Sequence, residues 1–279
     1  VTRRRAVLGL AVAAIALAAT AARAVLVSPL AIFMDPQLRT TEVTLANPTA
    51  ATEEVTIEVR YGAPGTDSLT EQPTLPTFAA DSAPAGAPNA ARFLRVFPRR
   101  VVLQPGQSQV VRVFASPPPT LAEGEYWARF MATSKPLADT SAAANPGGVG
   151  ISFAIVTSIP IWYRKGAVRT TLALDSLAAT VARDTLEARV VASRGGNASW
   201  LGTATFTLTD ERGRVAREWP LTTAVFPARL ARRLKWPLAG LPAGRYTLTA
   251  TYKAAREDLR ANEILAAPTA TRAIPVTLP

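Results

Sequence analysis

Short apolar segments that alternate with polar residues, bounded by Pro, Gly, Asn and Asp, recur along the chain, and a helical period is nearly absent after residue 24. That pattern predicts an all-β protein. In the first half, strands are expected near residues 25–33, 40–46, 54–61, 92–97, 100–103, 109–115, 124–132 and 150–164. The alternation stops at Lys165-Gly166-Ala167 and a second series follows near 170–174, 185–192, 202–209, 215–219, 228–236, 244–252 and 270–277. Asn47-Pro48, Gln104-Pro105-Gly106, Asp210-Glu211-Arg212-Gly213 and Leu241-Pro242-Ala243-Gly244 read as turns, because proline fixes φ and glycine accepts the left-handed region. The expected layout is two β-sandwiches in tandem, residues 25–165 and 169–279, joined by a linker at 166–168. Residues 62–91 and 135–148, rich in Ala, Pro, Gly, Ser and Thr, read as long surface loops, either a lid that meets a partner or insertions without a role.

The run from 150 to 164 is the most informative. One parity holds Ile151, Phe153, Ile155, Thr157, Ile159, Ile161 and Tyr163, a strongly apolar face on a strand longer than the usual five or six residues. Pro160 cannot donate to a ladder, so the strand is expected at a sheet edge. A long apolar edge is an aggregation hazard unless something covers it, and a partner strand is one such cover. The alternative is a strand whose apolar face simply fills its own core.

Composition narrows the chemistry. Residues 1–24 carry Arg3, Arg4 and Arg5, an apolar run from Ala6 to Ala19, and Ala22-Arg23-Ala24, the plan of a signal peptide cleaved after Ala24. The apolar run is short of the about 20 residues that span a bilayer, so no integral membrane segment is expected after processing. Cleavage would remove four Arg and no acid, leaving 27 basic against 20 acidic residues, a net +7. The basic residues are dispersed, the largest cluster being Arg232-Arg233 with Lys235, so nucleic acid is not expected as a partner. Without a Cys or a His in the chain, disulfides, thiolate or imidazole metal sites and Ser-His-Asp or Cys-His nucleophiles are excluded. No convincing pair of acids suggests carboxylate catalysis. Neither an enzyme, a metal nor a cofactor is expected.

The stretch Val-Val-Leu-Gln-Pro-Gly-Gln-Ser-Gln-Val-Val-Arg-Val at 101–113, then Gly124-Glu125-Tyr126-Trp127, then Ile159-Pro160-Ile161-Trp162-Tyr163-Arg164, resembles the first domain of the periplasmic pilus-assembly chaperones, the PapD-like family. The resemblance covers about residues 25 to 165 and is weak beyond Val168. It implies a boomerang of two immunoglobulin-like domains in the periplasm, which holds a pilus or fimbrial subunit by donor-strand complementation. Ile151, Phe153 and Ile155 would be the donated side chains. Glu125 and Arg164 match an acid and a base that tie the two domains together, and Arg112 matches a recurrent Arg after the Pro-Gly turn. The family's basic grip on the subunit's terminal carboxylate falls on Leu30 and Pro160, which cannot bind a carboxylate; Arg39, Arg164 and Lys165 are the candidate substitutes. An outer-membrane usher and self-association through the edge strand would be further partners. The competing expectation is a structural or adhesive sandwich module of the cell envelope, which would cover its own edge.

Overall fold

The computed structural model describes residues 24–137 and 153–279. Ile151, residues 1–23 of the expected signal peptide and residues 138–148 of the second expected loop lie outside the described residues.

The first sandwich is built from β1 (Leu26–Ser28), β2 (Ile32–Met34), β3 (Thr40–Ala46), β4 (Glu53–Gly62), β5 (Gly65–Thr66), β6 (Pro73–Thr74), β7 (Thr77–Phe78), β8 (Leu94–Phe97), β9 (Arg100–Leu103), β10 (Ser108–Ala115), β11 (Gly124–Pro136) and β12 (Ile155–Lys165). One sheet has the order β1-β3-β10-β8; the other runs β2-β12-β11-β4-β7, with β9 also on β4. This is the strand order of an immunoglobulin-like sandwich. The single strand expected at 25–33 is two, because the chain changes sheets there. β1 pairs antiparallel with β3, and β2 pairs parallel with β12. Pro29, which has no N–H for a ladder, stands at the crossing. Alternate residues of the facing strands, among them Leu45, Ile57, Val113 and Phe130, close the core completely.

The second sandwich comprises β13 (Thr170–Ala182), β14 (Thr185–Gly196), β15 (Trp200–Asp210), β16 (Val215–Val225), β17 (Arg229–Pro237), β18 (Gly244–Lys253) and β19 (Ala270–Leu278). Its sheets have the orders β13-β14-β17 and β16-β15-β18-β19. β13 runs well past the expected end at 174. A bulge between Leu174 and Ser176 shifts the parity, so that Leu172 and Leu174 are followed by Leu177 in the core, and simple alternation breaks. At the 210–213 turn, the Asp210 carboxylate accepts from the Arg212 and Arg214 N–H groups at 2.9 Å, and Gly213 takes φ +76°.

The 62–91 stretch differs from a bare loop. β5 and β6 form a small hairpin and β7 extends the β4 edge. Between β5 and β6, Asp67 accepts from the Leu69 and Thr70 N–H groups at 3.0 and 2.7 Å. Glu71 then reaches the second sandwich, accepting from Arg189 Nε at 2.8 Å and Nη2 at 2.5 Å, and from Arg233 Nε at 3.1 Å. These are charge-assisted bonds, bidentate at Arg189. The Arg189 guanidinium, with Arg233 behind it, holds the Glu71 carboxyl below the usual carboxylate range. The contribution of this clamp is therefore present above the ordinary carboxylate pKa and is lost as pH falls through the lowered one.

A tight backbone joint links the sandwiches. Glu125 N–H donates to Asn197 O at 3.0 Å, and Asn197 side-chain atoms bond Ala167 O and Arg169 N–H. Gly196 sits at φ +87°, and a Cβ there would lie 2.2 Å from Arg169 O. Gly196→Ala is expected to destabilise the protein by about 1–3 kcal/mol, through both the left-handed backbone and the clash. Thermal unfolding checks this, and an unchanged Tm would mean that the joint has room the geometry denies.

Candidate polypeptide-binding edge

β12 pairs with β11 along its whole length, from Ile155 opposite Ser134 to Lys165 opposite Gly124. Its other side is paired only where β2 lies against Ile161, Trp162 and Tyr163. From Ile155 to Pro160 that side is open among the described residues.

The core-facing row changes character along this strand. Tyr163, Ile161 and Ile159 are buried at 0%, 1% and 3% exposure, Thr157 and Ile155 are half-buried, and Phe153, just before the strand, is 72% exposed. The apolar row therefore continues past the end of its own core. On the opposite face Val156 is also exposed.

Two features modify the open edge, the first expected from the sequence and the second not. Pro160 offers no N–H. Arg129, opposite Pro160 on β11, lays its side chain across β12, with Nε donating to Ser158 Oγ at 2.9 Å and Nη2 to Ser158 O at 3.0 Å. It forms no ion pair among the described residues, and burial pulls its pKa down to about 10.

At the other end of β12 lies the aromatic contact with the second sandwich. Glu125 and Arg164 are direct partners across β11 and β12, with Arg164 Nε donating to Glu125 Oε2 at 2.8 Å. Both belong to the first sandwich, so the link across the joint runs through the other carboxylate oxygen. Glu125 Oε1 accepts from Ser199 N–H at 2.8 Å, Ser199 Oγ at 2.5 Å and Trp127 Nε1 at 2.7 Å. Phe226 of the second sandwich packs edge-on against Trp127 at 4.8 Å and over Trp162 at 6.2 Å, and Trp162 Nε1 donates to Ser199 Oγ at 3.2 Å. The Arg164 guanidinium also lies 4.9 Å over the Phe33 ring.

The candidate carboxylate anchors are each engaged within the chain. Arg39 Nε donates to Pro36 O, Arg164 is held by Glu125, and Lys165 Nζ donates to Pro119 O and Leu121 O. Leu30 is exposed between β1 and β2, and Arg112 pairs with Glu42 at the surface. A groove bordered by Glu58 and Asp81 also carries Arg92, Arg95 and Arg99, and Glu58 is paired with Arg60. Among the described residues, no cluster of acids could hold a metal, and no helix is long and apolar enough to cross a membrane.

No family model and no curated protein matches the sequence. Among solved structures, the chain is similar to one in the CsuC–CsuE chaperone–tip adhesion subunit pre-assembly complex of Acinetobacter baumannii, at 12% identity over 82% of this chain and 93% of that chain, with a TM-score of 0.44. It is similar to the CupB2 chaperone of Pseudomonas aeruginosa at 10% identity over 89% and 98% of the two chains, TM-score 0.40. The YadV chaperone is 9% identical over 91% and 99%, TM-score 0.46. These chaperones are what the chain is similar to, while its tandem immunoglobulin-like fold is given by its own two pairs of sheets.

Proposed function

We propose that this protein is an exported, periplasmic chaperone that holds a β-rich polypeptide, of the pilus or fimbrial-subunit type, by adding the β12 edge to that polypeptide's sheet. The observation that carries the reading is the pairing of β12: open on one side from Ile155 to Pro160, with an apolar row that leaves the core and ends on exposed Phe153. Strand addition uses such an edge for main-chain hydrogen bonds and the alternate side chains for specificity. Ile151 continues the same parity in sequence. Each such side chain contributes about 1.5–3 kcal/mol when fully buried by a guest, so Ile151, Phe153 and Ile155 suffice as an anchor. An outer-membrane usher would receive the loaded chaperone, and two empty copies could cover each other's edges. A purely structural envelope module would shield this edge itself, and among the described residues no segment pairs with Ile155–Pro160 on that side.

Capture of a guest from the native periplasm by tagged protein, compared with Phe153→Ser and Ile155→Ser, tests the reading. Each substitution should weaken capture about 10- to 100-fold, from the loss of about 1.5–3 kcal/mol of apolar burial, with Tm little changed because neither residue is fully buried. Equal capture by both variants, or no guest at all, would return the edge to a structural role.

A further inference from the structure

Strand β17 turns Leu230, Arg232, Leu234 and Trp236 inward, and β16 turns Trp219, Leu221, Thr223 and Val225 inward. Two polar residues, Arg232 and Thr223, thus stand in rows that are otherwise apolar, and they are neighbours. Arg232 Nη1 reaches Thr223 Oγ1 only at 3.4 Å, and its Nε is buried with no hydrogen-bond partner among the described residues. Among the described residues, no carboxylate forms an ion pair with Arg232, whereas nearby Arg256 is held by both oxygens of Asp258. A guanidinium in an apolar row with an idle buried donor is an unmet electrostatic demand.

Arg232 and Thr223 both line a cavity of about 320 Å³. One wall is β16 and β17, with Thr223 and Leu230; the other is the β5–β6 hairpin of the first sandwich, with Thr66 and Thr74. Water could fill the space and satisfy a donor, but it would leave the charge uncompensated. We propose that this cavity between the sandwiches is a binding site for a small oxyanion, carboxylate or phosphate, with Arg232 supplying the charge and Thr223, Thr66 and Thr74 further hydrogen bonds. The inference is independent of strand addition at β12. Because the walls come from both sandwiches, a bound anion adds a link between them and favours the joined state.

The test uses the purified protein at neutral pH and constant ionic strength, titrated in separate arms with sodium phosphate and sodium acetate. The readout is the Arg232 Nε–H resonance, assigned with Arg232→Lys, alongside calorimetry. A saturable shift of that resonance with a Kd of about 1 mM or tighter for either anion is expected, and the two arms tell a tetrahedral ligand from a planar one. Arg232→Gln should weaken binding by about tenfold or more. A response that stays linear with both anions, or equal affinity in Arg232→Gln, would overturn the proposal. The resonance itself decides even if the glutamine variant does not fold.

Discussion

Replacing Glu125 by alanine is expected to lower stability by about 3–5 kcal/mol, the usual cost of breaking a buried ion pair from one side. Glu125 has no exposed side-chain surface, and Arg164 retains only 13% of its own. Without the carboxylate, that guanidinium keeps its desolvation cost and loses its counter-charge. Trp127 Nε1 and the Ser199 N–H lose their acceptor at the same time. In a protein of this size the change corresponds to a Tm about 10 °C lower. A double variant, Glu125→Ala with Arg164→Met, should recover part of the loss, because the stranded charge is gone. A single-variant loss below about 1 kcal/mol would show that water replaces the carboxylate at no cost, and that the site is wetter than its geometry.

The second large effect is expected from Phe226→Ala. This ring, 3% exposed, fills the space between Trp127 and Trp162, and together with Leu201 it belongs to the core of the first sandwich although it comes from the second. Truncating it costs about 3–5 kcal/mol if the cavity cannot collapse. Here the sandwiches can part instead, so the signature is a loss of coupling. Tryptophan emission should shift to the red as Trp127 and Trp162 meet water, and thermal unfolding should separate into two transitions. A single transition with unchanged emission would mean that Glu125, Ser199 and the Gly196–Asn197 joint hold the sandwiches together unaided.

The regular part of this fold is written in period two. Strands such as 40–46 and 100–103 lie where alternation and turn residues put them, because each has one face in a core and one in solvent. The elements that differ do so for local reasons: Pro29 sends one strand into two sheets, and the bulge near Asp175 reverses parity partway along β13. The clamp on the second sandwich was not legible, since it depends on Glu71 meeting Arg189, 118 residues away, and nothing in a stretch of small residues marks that one acid. At the candidate edge, the apolar parity and Pro160 were visible in the sequence. Arg129 was not, because a polar residue on an outward face reads the same whether it points to solvent or lies across the next strand. Glu125 stood out only by resemblance, and its partner Ser199 follows from the packing of two domains that no local pattern relates.

The Arg129 side chain on Ser158 gives the open edge an end stop. A strand laid along β12 finds the Ser158 carbonyl already taken, then a residue without an N–H at 160, then β2 at 161–163. Because a slip of one residue turns every side chain to the opposite face, a fixed arrest point selects the alignment as well as the extent of pairing. An added strand that slides toward this stop has its phase set by the host, so the residue facing Ile155 is determined by where the guest halts.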